Sequence, residues 1–248
     1  MKTIKNIFQE NKLFFFNYNH NSFFEGIYRL LAILISPMFL KINPNFISMC
    51  SLLIGFIGLF FSFFLSLDIN LVIIFFLLSF VLDFTDGLIA RYTRKTSFHG
   101  RFLDGLFDIF VIGFLHIIFI IELINLEFLS INSFYFIFCL ITICIMPVQH
   151  LILDRFSSLA RWCNEIDKNT FIKPYYRNSF YNKLTMLLFD LQHLCIFHIL
   201  VNGSQNLTIT ITFYLILSFF SSLTSIILYM VLSKKNFINR SNQKDNNE

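Results

Sequence analysis

Charged residues, glycine and proline are all scarce in this chain of 248 residues. Asp, Glu, Lys and Arg together make up 14% of it, and there are 8 Gly and 4 Pro. Soluble domains carry roughly 25% charged residues, and most disordered chains are rich in Gly and Pro. The five cysteines are scattered, without the regular spacing of a disulfide framework. These shortages exclude a soluble globular protein, a disordered chain and a small secreted scaffold.

Hydrophobic residues dominate instead, at 56% of the chain, with 36 Phe among them. A helix needs about 20 apolar residues to cross a bilayer. Six segments of suitable length predict an all-α integral membrane protein with six transmembrane helices: Phe46–Leu67, Asn70–Ala90, Phe102–Leu126, Ser133–Leu153, Leu184–Val201 and Leu207–Leu232.

A shorter apolar segment precedes the first span. Ile27–Leu40 contains Arg29 and Pro37 and ends at Lys41, so we predict an amphipathic helix that lies in the membrane interface. The predicted organisation is therefore an N-terminal tail and interfacial helix (1–45), a six-helix transmembrane domain (46–233) and a polar disordered tail (234–248).

The basic residues indicate the orientation. All 19 Lys and Arg fall in segments on one side of the predicted spans, namely 1–45, 91–101, 154–183 and 233–248. Because cytoplasmic loops carry the excess of positive charge, we expect both termini to be cytoplasmic, most simply in a plasma (inner) membrane. We interpret these residues as topology signals that face anionic lipids, and not as a nucleic-acid site.

Four aspartates lie close together in the sequence, at the end of the second span and the start of the third. Spacings of three and four residues put Asp83 with Asp86, and Asp104 with Asp108, on single helix faces. At ~1.5 Å per residue, Asp83 lies about 12 Å inside Arg91, and Asp108 about 10 Å inside Arg101. Ion pairs with the nearby arginines would account for Asp86 and Asp104 at the rim, but poorly for the two deeper carboxylates.

Carboxylates gathered inside a membrane repel one another and must be neutralised. Four of them balance two divalent cations, and hard oxygen ligands favour Mg²⁺ or Mn²⁺. Two such ions form a clamp for phosphoryl transfer. Gly87 and Gly100 leave room for a phosphate or a neighbouring helix, and Arg91 offers a positive fork to a phosphate.

The same residues resemble the motif of a known family. The pattern D-x2-D-G-x2-A-R-x8-G-x3-D-x3-D is similar to that of the CDP-alcohol phosphatidyltransferases. All eight positions are filled, by Asp83, Asp86, Gly87, Ala90, Arg91, Gly100, Asp104 and Asp108. The segment Pro44-Asn45-x2-Ser48 also resembles a Pro-Asn-x-x-Thr segment often found at the family's first span, with Ser in place of Thr.

The resemblance implies a reaction and a set of roles. The enzyme would transfer a phosphatidyl group from a CDP-linked lipid to a small alcohol, with release of CMP. The four aspartates would hold the two metal ions, and Asp108 would also be the general base. Asn45, Gly87, Ala90, Arg91 and Gly100 would form the nucleotide site. The resemblance also implies a homodimer.

Other polar residues inside the spans are candidates for binding the acceptor. Asp190 and His193 are three residues apart on the fifth span, at a depth similar to that of Asp83, and Arg155 follows the fourth span. Two alternatives remain open at this point. The donor could be CDP-choline or CDP-ethanolamine with diacylglycerol as acceptor, or the aspartates could belong to a divalent-cation carrier.

Overall fold

The computed structural model describes residues 7–9, 22–65, 67–130, 133–166, 180–203, 205–234 and 236. Within that part the long elements are all helices, and no strand occurs. In chain order they are α1 (Phe23–Phe39), α2 (Pro44–Leu65), α3 (Ile69–Tyr92), α4 (Phe98–Asn125), α5 (Phe134–Ile166), α6 (Phe180–Asn202) and α7 (Leu207–Ser233).

Six of these helices, α2 to α7, are long and apolar enough to cross a membrane. The prediction of an all-α protein with six membrane-spanning helices is thus confirmed. A helix also precedes the first span, although α1 begins at Phe23, four residues before the predicted start. Its position in the interface and the orientation of the termini stay predictions, and most of the predicted polar tail lies outside the described residues.

The turn between α3 and α4 is shorter than the hydropathy pattern indicates. Arg94 has a left-handed φ of 55°, and the Lys95 N–H donates to the Ala90 carbonyl, which closes the end of α3. The Ser97 hydroxyl then accepts from the Gly100 N–H and caps α4. Gly100 consequently lies in the first turn of a helix.

Helix α5 is longer than predicted, because it continues from Leu153 to Ile166. No Pro or Gly interrupts this stretch, and its buried residues Phe156 and Ala160 pack against Leu228 and Tyr229 of α7. Arg155 is therefore on a helix and not in a loop. A hydropathy profile underestimates the length of this helix because the outer face of the extension is polar.

Small residues allow α2 to approach its neighbours closely. Ser51 and Ser79 exchange hydrogen bonds between α2 and α3, each hydroxyl donating to the other residue's carbonyl at 2.8–2.9 Å. A Cβ at Gly58 would lie 2.9 Å from the Phe76 ring. Such contacts are typical of helix packing in membranes, where small residues bring backbones together.

The helices form two groups that share one core. Helices α2, α3 and α4 pack together, α5 and α6 each pack against α7, and α1 lies against α3 and α6. A continuous cluster of buried side chains from α3, α4, α5, α6 and α7, including Phe76, Phe119, Cys139, Ile196 and Ile211, joins the groups. The motif aspartates on α3 and α4 lie at the boundary between the two groups.

Candidate active site

The motif aspartates converge, because helical spacing pairs them on each helix and the short α3–α4 turn brings the two pairs together. Oxygen atoms of Asp83, Asp86 and Asp104 all lie within 4.8 Å of one another. The carboxyl group of Asp108 lies within hydrogen-bonding reach of that of Asp83. Helix α3 thus contributes two carboxylates and α4 two, and all four form one acidic cluster.

Asp86 is the most enclosed member of the acidic cluster, with 4% of its surface exposed. The Ser48 hydroxyl on α2 donates a hydrogen bond to its Oδ2 atom. Asp104 lies near the guanidinium groups of Arg91 and Arg101. The carboxylates are therefore oriented by partners on α2, α3 and α4.

The donor set of the acidic cluster fits a divalent cation. Carboxylate oxygens are the ligands that Mg²⁺ and Mn²⁺ prefer, and carboxylates this close repel one another unless positive charge offsets them. Ser48 bonds Asp86, a candidate ligand, and so has the position that an outer-shell partner would have.

A polar cleft of about 120 Å³ opens on one side of the acidic cluster. It is built from α2, α3, α4 and the α3–α4 turn, and Asp86 and Asp104 form part of its wall. The five residues predicted to bind the nucleotide all line it: Asn45, Gly87, Ala90, Arg91 and Gly100. A Cβ at Gly100 would lie 2.9 Å from the Asn45 Oδ1 atom, so a larger residue would push into this cleft.

An inner cavity of about 270 Å³ lies on the other side of the acidic cluster. Asp83 and Asp108 belong to its wall, together with residues of α1, α5, α6 and α7, among them Tyr28, Gln149, His150, Gln192 and Ser222. The predicted acceptor residue His193 is also there, 5% exposed. Its Nδ1 bonds the Phe189 carbonyl at 2.9 Å, so Nδ1 carries the hydrogen and Nε2 of the neutral ring is an acceptor.

Asp190 has a different neighbourhood. Its carboxylate accepts hydrogen bonds from the Ser22 hydroxyl at 2.6 Å and from the Phe23 and Phe24 N–H groups at 3.0 and 3.1 Å. It caps the start of α1 from α6, and it is not among the residues that line the inner cavity. Arg155 also lies elsewhere, on the exposed face of α5.

Helix α1 brings an aromatic side chain that the sequence interpretation did not identify. Tyr28 lies with its ring 5.5 Å from that of His193 and 6.0 Å from that of Phe84. Burial raises the pKa of Tyr28, so its hydroxyl keeps its proton at neutral pH. The sequence did contain a signal for the earlier start of α1, namely the capping box Ser22-x-x-Glu25, which indicates a helix start before Ile27. No local sequence pattern indicates that Tyr28 reaches the cavity.

Comparison with protein families matches residues 41–232 to the model of the CDP-alcohol phosphatidyltransferases. The match includes the whole acidic cluster and the polar cleft, and it begins just after α1. Comparison with curated proteins gave no match.

Proposed function

Because the chain belongs to the CDP-alcohol phosphatidyltransferase family, we propose that it transfers a phosphatidyl group from CDP-diacylglycerol to a small polar alcohol in phospholipid synthesis. Family membership and six membrane-spanning helices together support an integral membrane phosphatidyl-transfer enzyme. The donor and acceptor named here are our proposal.

One observation carries the proposal, namely that the acidic cluster separates two cavities. Phosphoryl transfer requires the attacking and leaving oxygens to lie roughly in line on opposite sides of phosphorus. The polar cleft contains Arg91, which suits a phosphate group, and Gly87 and Gly100, where a Cβ would crowd neighbouring side chains. The inner cavity then holds the acceptor, whose hydroxyl approaches from the opposite side.

The reaction follows from these positions. The acceptor oxygen attacks the phosphorus that carries the lipid, the bond from that phosphorus to CMP breaks, and CMP leaves. Asp108 lines the inner cavity, so its carboxylate is suited to accept the hydroxyl proton. Arg91 lies in the polar cleft, where it can bind a phosphate of the nucleotide.

Members of this family use divalent metal ions. We propose that Asp83, Asp86, Asp104 and Asp108 hold two of them, Mg²⁺ or Mn²⁺. When bound, the metal supplies positive charge against the phosphoryl oxygens and the leaving CMP. Ser48 keeps the Asp86 carboxylate oriented toward that position.

Release of CMP from CDP-diacylglycerol tests the function. We expect Asp108→Asn to lower turnover by about 10²–10⁴-fold, the usual contribution of a general base. Asp154→Asn is the matched control, because this exposed carboxylate on α5 lies outside both cavities. Wild-type turnover by Asp108→Asn would refute the assignment of the base.

The reverse use of the two substrates is tested in the same assay. Turnover of CDP-choline or CDP-ethanolamine with diacylglycerol, and none of CDP-diacylglycerol, would replace our proposal with that alternative. Movement of divalent ions without CMP release would instead support a cation carrier.

We further propose that the site faces the cytoplasm of a plasma (inner) membrane and that the enzyme is a homodimer. The side is supported by the positions of all 19 basic residues; the homodimer is supported by family membership alone. Inside-out vesicles should use added water-soluble acceptors without detergent, whereas right-side-out vesicles should not. Chemical cross-linking in the membrane tests the dimer.

A further inference from the structure

Beyond the acidic cluster the inner cavity is lined mainly by apolar and aromatic side chains, and the polar groups among them are uncharged. Two amides, Gln149 and Gln192, two imidazoles and the hydroxyl of Ser222 contribute to this wall. No Lys or Arg belongs to this wall among the residues that the structure describes. The polar cleft differs in this respect, because Arg91, Lys95 and Arg101 line it.

One hydroxyl in this wall, that of Tyr28, has no hydrogen-bond partner among the described residues. The Tyr28 side chain is 2% exposed. Buried hydroxyls almost always have a partner, since an unsatisfied one is unfavourable. Because Tyr28 lines the inner cavity, a molecule bound there is positioned to supply that partner.

The wall discriminates between classes of acceptor. A phosphorylated acceptor would bring negative charge to the two carboxylates of the wall, without an Arg or Lys of the described wall to bind it. A quaternary ammonium neither donates nor accepts a hydrogen bond, so it would leave the Tyr28 hydroxyl and the Gln192 amide of the wall without a partner. Several hydroxyl groups on one small molecule satisfy both the donors and the acceptors.

We propose that the inner cavity binds an uncharged polyhydroxyl acceptor, a small polyol without a phosphate, and that the Tyr28 hydroxyl is one of its contacts. This inference rests on the proposed function. The volume of about 270 Å³ lies near the lower end of small-molecule pockets, which span roughly 300–1,000 Å³. A cavity of this size holds a small polyol that carries no large substituent.

The acceptor class is tested with the wild-type protein in mixed micelles that contain CDP-diacylglycerol and Mg²⁺. The panel holds glycerol and myo-inositol, their monophosphates, and the amines choline, ethanolamine and serine. We expect kcat/KM for at least one polyol to exceed that for its monophosphate and for every amine by tenfold or more. Preference for a monophosphate or an amine would overturn the inference and leave the proposed function intact, because CMP would still be released.

Failure with every acceptor would overturn both the inference and the proposed function. The variant Tyr28→Phe then tests the contact itself. We expect the KM for the polyol to rise about threefold to tenfold, as for loss of one neutral hydrogen bond, while the KM for CDP-diacylglycerol changes less than twofold. The melting temperature should not fall, because the hydroxyl has no protein partner to lose.

Tyr135→Phe is the matched control. It removes the same group near the start of α5, more than three turns from Gln149, and Tyr135 lines neither cavity. It should alter neither KM. An unchanged polyol KM in Tyr28→Phe would overturn the assignment of Tyr28, and so would equal changes in the two variants.

Discussion

Replacement of Asp190 by alanine should loosen the start of α1 and lower the stability of the protein. The carboxylate accepts three hydrogen bonds there, two from N–H groups in the first turn and one from Ser22. First-turn N–H groups have no partner within their own helix, so the variant leaves two of them unsatisfied. It also removes a negative charge from the positive end of the helix dipole.

The size of the effect follows from these contacts. Loss of a helix cap costs about 0.5–2 kcal/mol, and a hydrogen bond to a charged group contributes about 1.5–3 kcal/mol. Because these terms overlap, we expect Asp190→Ala to lose ~3 kcal/mol of unfolding free energy. For a chain of this size that lowers the melting temperature by roughly 6–12 °C. Asp190→Asn keeps an acceptor oxygen and should lose about half as much.

Thermal unfolding in detergent micelles measures these differences, and Ser22→Ala completes a double-mutant cycle. We expect Ser22→Ala and Asp190→Ala to be non-additive by ~1 kcal/mol, because the two side chains share a hydrogen bond. Acceptor KM should rise in Asp190→Ala, since Phe24 and Tyr28 of α1 pack on His193, whereas donor KM should stay near the wild-type value.

Two results would refute this reasoning. Additive effects of Ser22→Ala and Asp190→Ala would show that the hydrogen bond contributes nothing. A raised acceptor KM with an unchanged melting temperature would favour direct binding of the acceptor by Asp190, as the sequence interpretation predicted, over the capping of α1.

Three further predictions concern the polar cleft and the acidic cluster. Gly100→Ala should raise the KM for CDP-diacylglycerol by tenfold or more, because the new Cβ would lie 2.9 Å from Asn45 Oδ1; Gly105→Ala, with nothing within 4 Å, is the control. Ser48→Ala should raise the Mg²⁺ concentration for half-maximal CMP release by about 10–100-fold, the usual effect of losing an outer-shell partner, and Ser48→Thr should restore it. EDTA should stop CMP release, and added Mg²⁺ or Mn²⁺ should restore it.

Each of these predictions has an outcome that contradicts it. Equal donor KM values in Gly100→Ala and Gly105→Ala would contradict the binding of the nucleotide in the polar cleft. An unchanged Mg²⁺ requirement in Ser48→Ala would mean that the hydrogen bond to Asp86 does not orient a metal ligand. Full activity in excess EDTA would refute metal dependence.

The number of spans and the acidic cluster were predictable because both depend on local spacing. A helix needs about 20 apolar residues to span a bilayer. Helical periodicity places Asp83 and Asp86 on one helix face, and Asp104 and Asp108 on one face of the next helix. The ends of helices were less predictable. Hydropathy does not detect a cap such as Ser97, nor an amphipathic extension such as the one after Leu153, because neither is an apolar run.

Contacts between distant parts of the chain account for the remaining differences. Ser22 and Asp190 are 168 residues apart, and their hydrogen bond exists only because α1 packs against α6. An aspartate within a span indicates a functional site by default, but the carboxylate here is used by the backbone of another helix. Sequence spacing cannot distinguish these two uses, because both need a carboxylate at the same depth.

The two cavities share α3 and α4 but differ in their other helices, and this separates the parts of the reaction. Besides α3 and α4, the polar cleft uses α2 and the α3–α4 turn, whereas the inner cavity uses α1, α5, α6 and α7. The family match starts at residue 41, after α1 has ended. The residues proposed for nucleotide and metal binding thus lie within the matched region, while Tyr28 lies before it. Substitutions in α1 should therefore change the KM for the acceptor and not the KM for the donor. Substitutions at Gly100 should do the reverse. If variants at both places altered donor and acceptor KM together, the two cavities would not be separate sites.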